Sequence, residues 1–185
     1  TNDFSENNLK NLHGFQWGHC SGGNADMAAA YFMRWNGPVN EADDLYSETN
    51  SSSLTLPAVK HVKNFLSVSS ASISSIKEAI VEHGVVFTSM YHNDFFYNSG
   101  TKGYYYSGTE TINHAISIVG WNDNYSKTNF NTPPANNGAW IIKNSWGTSW
   151  GSSGYFYISY EDSHINDNCY VYQAADIEYD NLYSY

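Results

Sequence analysis

Two separated segments carry a histidine and an asparagine that together could activate a thiol. His114 begins the apolar run HAISIVGW, and Asn144 follows the apolar run AWIIK further along the chain. A thiol is mostly protonated at neutral pH, so an imidazole must take its proton and later give it to the leaving amine. An amide oxygen that accepts from the second ring nitrogen fixes the imidazole. We predict His114 as base and acid, Asn144 as its orienting amide, and Trp146 as a cover that excludes water.

The two complete segments are INHAISIVGW and AWIIKNSWGTSWGSSGYFYISY. A lone histidine before a strand is usually structural, and Asn-Ser-Trp-Gly alone can be an ordinary turn. Together, in this order and with their glycines and tryptophans, they resemble the papain-like cysteine peptidases. The resemblance implies an α+β fold with a helical part and an antiparallel β-barrel-like part, incomplete at the N-terminus. It also implies proteolysis by thiolate attack through an acyl-enzyme thioester, without cofactor or metal.

The upstream segments FSENNL and HCSGGNADMAAAYF are similar to a helix and a Gly-Cys-x-Gly-Gly loop that follow the nucleophile helix in that family. On this alignment Cys20 is a loop cysteine and not the nucleophile. The resemblance implies that Gly23 pairs its backbone with the substrate chain, with Gly22 giving room, because neither residue has a Cβ atom. The expected substrate-binding residues are Gly22, Gly23, Asn24, Ala25, Asn113 and Ala115.

A rival alignment makes Gln16 the oxyanion-hole glutamine and Cys20 the nucleophile. The family separates these two residues by more than the four positions found here, and Cys20 is followed by Ser-Gly-Gly-Asn, not by the expected Trp-Ala-Phe. On the favoured alignment the nucleophile lies N-terminal to Thr1. Three interpretations stay open: a processed enzyme whose light chain carries the cysteine, a truncated fragment, and a catalytically inactive papain-like module that binds carbohydrate or peptide.

Other constellations are weaker. His13, His19 and Cys20 lack a fourth metal ligand, and WNDNYSKTN and EDSHINDN lack the glycine and terminal glutamate of a calcium loop. No metal is therefore predicted. Cys169 stands where the resembling family often has a disulfide cysteine, but the usual partner position before His114 holds none. We expect Cys169 to be free and buried, or paired outside this chain.

Composition excludes some partners. Eight Lys and Arg against eighteen Asp and Glu give a formal charge of −10, which repels nucleic acid and anionic lipid surfaces. No stretch approaches the roughly 20 apolar residues of a membrane span. The abundance of Tyr, Gly, Ser and Asn indicates a secreted or cell-surface protein. The predicted partners are a protein or peptide substrate and a light chain or N-terminal segment with the catalytic cysteine.

Hydrophobic periodicity predicts the elements that position these residues. Helices are expected over 5–12, 25–35 and 74–83, the last with a capping box from Ser75 to Glu78 and ended by Gly84. A strand is expected within 58–70. From Gly84 onward the chain is mainly β, with five short β-branched and aromatic runs separated by turn residues.

The organisation predicted is one domain over 1–185. Residues 1–70 form its mainly helical part with the substrate loop, residues 71–172 its mainly β part with the histidine and asparagine, and residues 173–185 an acidic tail. The polar stretch 122–138, which contains Pro133 and Pro134, is expected to be a surface insertion.

Overall fold

The structure is a computed structural model that describes residues 2–18, 21–49, 51–68 and 71–175. The helices are α1 (Glu6–Leu12), α2 (Ala25–Met33) and α3 (Ile73–His83), with 3-10 turns at Glu41–Asp43, Asp94–Phe96 and Lys127–Asn129. The strands are β1 (His61–Ser67), β2 (Val86–Met90), β3 (Tyr97–Asn98), β4 (Gly103–Tyr104), β5 (His114–Asn122), β6 (Ala139–Lys143), β7 (Tyr155–Ser159) and β8 (Tyr170–Ala175). None of the helices in these ranges has the length and apolar character needed to cross a bilayer. The helices and the large sheet give the α+β class that the sequence predicts.

The chain divides into two compact units, and the first, which among the described residues comprises 2–65 and 172–175, contains α1 and α2. Ser5 caps α1 by accepting from the Asn8 amide, and Asn24 caps α2 by accepting from the Met27 amide. The two helices are joined by the fully buried Tyr31, whose hydroxyl donates to Asn8 Oδ1 at 2.7 Å. Burial raises the pKa of Tyr31 to about 12, so it remains a neutral donor at physiological pH.

The second unit, residues 66–171, contains α3 and most of the sheet. Its strand order is β8-β2-β5-β6-β7-β4-β3. Neighbouring strands are antiparallel, as the sequence predicts, except β4 and β7, which run parallel over two residue pairs. β5 pairs with β6 in a register that places Ser117 opposite Lys143. The start of β5 and the end of β6 therefore lie at the same edge of the sheet.

The core of the second unit lies between α3 and the sheet. Ile76 of α3 is fully buried with Ile118, Trp140 and Ile142 of the two central strands. Each such side chain contributes about 1.5–3 kcal/mol of burial free energy. This core fixes β5 and β6, and so the edge at which His114 and Asn144 lie.

Two local expectations need correction. The capping box of α3 is formed by Ser72 and Ser75, so the helix begins earlier than the Ser75–Glu78 box predicts. The polar stretch 122–138 is more than a surface insertion, because Tyr125 and Phe130 are buried and pack with Ala139 as a small second core. Aromatic anchoring of this kind is not visible in the polar composition of the segment.

Candidate active site

Backbone hydrogen bonds at one sheet edge bring His114 and Asn144 together. His114 is the first residue of β5 and lies opposite Met90, whose carbonyl accepts from the Asn113 amide at 3.1 Å. Asn144 directly follows β6, and its own amide donates to the Gly154 carbonyl at 2.9 Å. Both side chains therefore begin from regular, hydrogen-bonded backbone. A site on such backbone is held more accurately than one on free loops.

The imidazole and the amide are in direct contact. His114 Nε2 lies 2.9 Å from Asn144 Oδ1, which also accepts from the Ser145 backbone amide at 2.9 Å. Because that second donor can only be an N–H, it identifies the contacting atom as the amide oxygen. The proton of the neutral imidazole must then lie on Nε2. His114 Nδ1 keeps its lone pair, and no described residue hydrogen bonds to it, so it can act as a base.

Trp146 covers this hydrogen bond. Its ring lies 4.8 Å from the His114 ring, tilted by 30°, and it meets Trp150 edge-on at 4.9 Å. Trp150 in turn stacks on Tyr97 at 4.9 Å. Asn144 is only 8% exposed, so the bond is shielded from competing water. Trp146 is 40% exposed, but its ring meets Trp150 at 88° and His92 at 90°, so these rings do not form the coplanar aromatic platform that a carbohydrate-binding module needs.

The turn that carries Trp146 depends on Gly151. This residue has φ +63°, and a Cβ atom there would lie 2.4 Å from the Tyr155 carbonyl oxygen. A side chain at position 151 would displace the backbone that begins β7. The glycine of the Trp-Gly pair therefore has a steric role in the turn that follows Asn144.

Sequence reasoning missed one residue of this cluster. His92 follows β2, and its ring lies 4.7 Å from Trp146 and 5.9 Å from His114. Asn113 joins it to the site, because Asn113 Oδ1 accepts from the His92 amide at 2.7 Å and its Nδ2 donates to the His92 carbonyl at 3.0 Å. The local sequence YHND does not predict that His92 lies at the site, because its contacts are made with residues that follow or begin other strands.

The remaining predicted binding residues are placed as follows. Ala115 is exposed on β5, opposite Ser89. In the first unit Gly22 and Gly23 are exposed, and Gly22 has φ +82° with open space where a Cβ would lie. Asn24, which caps α2, and Ala25, the first residue of α2, follow directly. Asn24 is exposed, whereas Ala25 is buried at the start of α2.

Cys20 and His19 lie outside the described residues, as does the predicted acidic tail beyond position 175. Cys169 is a free, buried thiol whose Sγ lies 3.4 Å from the Ile165 carbonyl, and burial raises its pKa. His13 Nδ1 accepts from the Phe15 amide at 3.0 Å. Within the ranges that the structure covers, no group of three or more His, Cys, Asp or Glu side chains is arranged to hold a metal ion.

Comparison with known proteins gives consistent similarities. The model of papain family cysteine proteases matches residues 1–178. Cysteine proteinase 3 of Entamoeba histolytica is 28% identical over 166 residues, which is 88% of this chain and 50% of that protein. The crystal structure of the cysteine protease and lectin-like domains of Cwp84, a surface layer associated protein of Clostridium difficile, is 30% identical with a TM-score of 0.88. That alignment covers 97% of this chain and 43% of the other.

Bromelain protease from Ananas comosus, solved in complex with the E64 inhibitor, has a TM-score of 0.69 at 20% identity. The alignment covers 92% of this chain and 78% of bromelain. At this identity the likeness concerns the fold alone. The chain spans about half the length of the Entamoeba proteinase and less than half of the Cwp84 chain.

Proposed function

Because the chain belongs to the papain family of cysteine proteases, we propose that it is the histidine- and asparagine-bearing portion of a cysteine-type peptidase. The observation that carries this proposal is the 2.9 Å contact of His114 Nε2 with Asn144 Oδ1 beneath Trp146. It leaves the lone pair of His114 Nδ1 available as a base. An inactive binding module would have no need of this arrangement.

In the proposed reaction His114 first accepts a proton and later donates it. Nδ1 takes the thiol proton, and the thiolate sulfur attacks the carbonyl carbon of the scissile bond. The imidazolium then gives that proton to the leaving amine nitrogen, and a thioester forms as the C–N bond breaks. Water attacks the thioester while Nδ1 takes a proton from the water. The proton returns to the sulfur as the acid product leaves.

We assign the nucleophile to a cysteine outside this sequence, in a light chain or an N-terminal segment. Cys169 is unsuited, because it is 3% exposed and burial raises its pKa, which disfavours the thiolate. Cys20 is followed by Ser-Gly-Gly-Asn, which suits a substrate loop. Gly22 and Gly23 would present backbone groups to a protein or peptide substrate, and their exposure supports this assignment.

We propose Asn24 and Ala25 of the first unit, and Asn113 and Ala115 of the second, as further substrate-binding residues. The exposure of Ala115, next to His114 on β5, supports its assignment. We also propose a secreted or cell-surface location. The similarity to Cwp84, which is described as surface layer associated, and the acidic, Tyr- and Asn-rich composition support it.

Thiol labelling of the whole native protein, with every chain that accompanies it, tests the nucleophile assignment. Intact masses are measured under denaturing conditions before and after reaction with a peptidyl epoxide, and the modified cysteine is located by peptide mapping. We expect one labelled cysteine that is neither Cys20 nor Cys169. Label on Cys20 would overturn the assignment, and absence of label from the folded protein would overturn the peptidase proposal.

Substitution of Asn144 by alanine tests the orienting role. We expect kcat/KM to fall by about 10²-fold, mostly through kcat, because a freely rotating His114 loses the alignment that acid–base catalysis requires. Asn64→Ala is the matched control, since Asn64 is exposed and donates to Gln173 in the first unit. Equal activity of the two variants would contradict the proposed role of Asn144.

A further inference from the structure

His92 lies against the aromatic cover of the candidate site. Its ring meets Trp146 edge-on at 4.7 Å with an interplanar angle of 90°, and it stacks on Tyr104 at 5.9 Å. The His114 ring lies 5.9 Å from the His92 ring. The His92 ring therefore packs against both the Trp146 ring and the His114 ring.

The backbone of His92 is held to the residue that precedes His114. Asn113 accepts from the His92 amide at 2.7 Å and donates to the His92 carbonyl at 3.0 Å. This two-point contact ties the His92 backbone to the residue that precedes His114. Movement of His92 would be transmitted through Asn113 and Trp146 to His114.

The ring nitrogen of His92 has an unusual environment. Nε2 is buried and has no hydrogen-bond partner in the described part of the chain, and the carboxylate of Asp94 lies 3.7 Å from it. The titratable groups that face His92 are Asp94 on the following turn, His114 on β5 and Tyr104 on β4. Burial raises the pKa of the Tyr104 phenol well above its usual value, so Tyr104 is neutral. Among the described residues, Asp94 and His114 are the two that can bring charge to His92.

We propose that His92 is a positioning residue for His114 that limits activity at acid pH. The proposal rests on the proposed peptidase function. In its uncharged form His92 supports Trp146 over the His114 imidazole. A protonated His92 places a second cation beside the imidazolium of His114 and is attracted towards Asp94, so Trp146 loses its support.

The direction of titration agrees with this geometry. Burial lowers the pKa of His92 below its ordinary value, the charge on His114 lowers it further, and Asp94 opposes both. His92 is then uncharged near neutral pH, and its charge develops only as the pH falls. The active form is therefore the neutral-pH form.

The shape of the acid side of the pH–activity profile tests the proposal in the whole active enzyme. Two protons, one on the pair formed by the nucleophile and His114 and one on His92, give a limiting slope of about 2 in log kcat/KM against pH. His92→Phe keeps the aromatic ring and removes the charge, so we expect a slope of about 1. His83→Phe, at the end of α3, is the matched control and should keep the slope of 2. A slope of 2 in His92→Phe overturns the proposal.

Asp94→Asn provides a test that does not disturb the interior, since the Asp94 side chain is 94% exposed. Removing its charge lowers the pKa of His92. The pH at which kcat/KM falls on the acid side should therefore move down by about 0.3 units, the effect of one exposed charge. An unchanged limit, or a move to higher pH, contradicts the proposed attraction.

A spectroscopic test does not depend on activity. The Cε1–Hε1 signal of His92 is followed by NMR against pH in the complete protein and in its His114→Gln variant. We expect the pKa of His92 to rise in the variant, because the neighbouring cation is removed. The signal of His61 in the first unit is the internal control and should titrate identically in both. Unchanged titration of His92 overturns the proposal, whereas absence of peptidase activity from the unmodified protein, with the NMR coupling intact, overturns only the proposed function.

Discussion

At the scale of single residues, Asn144 gives its two amide atoms different surroundings. Its oxygen accepts from His114 and from the Ser145 amide, whereas its buried Nδ2 finds no partner among the described residues. A buried donor without a partner costs about 1–3 kcal/mol. Natural proteins keep such a group where its orientation is needed for function. The cost supports an orienting role for this side chain over a purely structural one.

Burial of the Asp162 carboxylate is a second cost to stability at the residue scale, and this cost depends on pH. Burial raises the pKa of its carboxyl to about 6, although the backbone amides of His164 and Tyr106 donate to it and oppose that shift. The folded protein therefore binds the Asp162 proton more tightly than the unfolded chain does. The stability from this group is present below about pH 4 and is lost as the pH rises through about 6.

We therefore expect Asp162→Asn to change the pH dependence of the free energy of unfolding. The difference in the free energy of unfolding between the unmodified protein and the variant should fall by up to about 3 kcal/mol between pH 4 and pH 7, to the disadvantage of the unmodified protein. Urea denaturation at a series of pH values measures it. Asp3→Asn, at an exposed carboxylate of the first unit, is the control. A difference that is constant with pH would show that Asp162 has the same pKa in the folded and unfolded states.

The sequence predicted the contact between His114 and Asn144 because each lies in a dense local motif next to an apolar strand. Their catalytic roles remain predictions. His92 could not be predicted, because its position depends on the pairing of β2 with β5 and on the side chain of Asn113. Contacts of this kind join residues that are distant in sequence, and no local pattern records them.

At the scale of elements, α3 begins with a capping box of two serines. Ser72 Oγ accepts from the Ser75 amide at 3.2 Å, and Ser75 Oγ accepts from the Ser72 amide at 2.9 Å. We expect Ser72→Ala to lower the free energy of unfolding by about 1 kcal/mol, the usual value of an N-cap. Thermal or urea denaturation measures the loss.

Glu78→Ala is the control for the α3 cap. Glu78 is exposed in mid-helix, although the sequence predicts it as the second member of the box. The substitution should be nearly neutral, since alanine is the best helix former. A larger loss in Glu78→Ala than in Ser72→Ala would favour the Ser75–Glu78 box.

The elements themselves were predictable to different degrees. α1, α2 and α3 follow from helical spacing and caps, and the strands at 86–90, 114–122, 139–143 and 155–159 follow from β-branched and aromatic runs. The parallel pairing of β4 with β7 was not predictable, because β4 has only two residues and its partner is far along the chain. The register shift between Ile118 and Gly120 is likewise set by packing and not by local pattern.

At the scale of the whole molecule, the acidic surface opposes compactness. The formal charge of −10 is carried by a chain of 185 residues with only eight Lys and Arg. Described ion pairs that offset it are few, and the shortest joins Lys77 to the exposed Asp123. Mutual repulsion among the remaining carboxylates is therefore greater in the folded protein than in the expanded chain.

We expect added salt to stabilise the protein for this reason. The Debye length falls from about 30 Å at 0.01 M to about 3 Å at 1 M, so salt screens the repulsion between exposed carboxylates. Raising NaCl from 0.01 to 0.5 M at pH 7 should raise the Tm by about 2–4 °C, equivalent to about 1 kcal/mol. The variant with Asp3→Asn, Glu78→Gln and Glu110→Gln removes three exposed negative charges and should show a smaller increase. A Tm that stays constant or falls with salt in the unmodified protein would show that its charges are already balanced locally, and repulsion would then play no part in its stability.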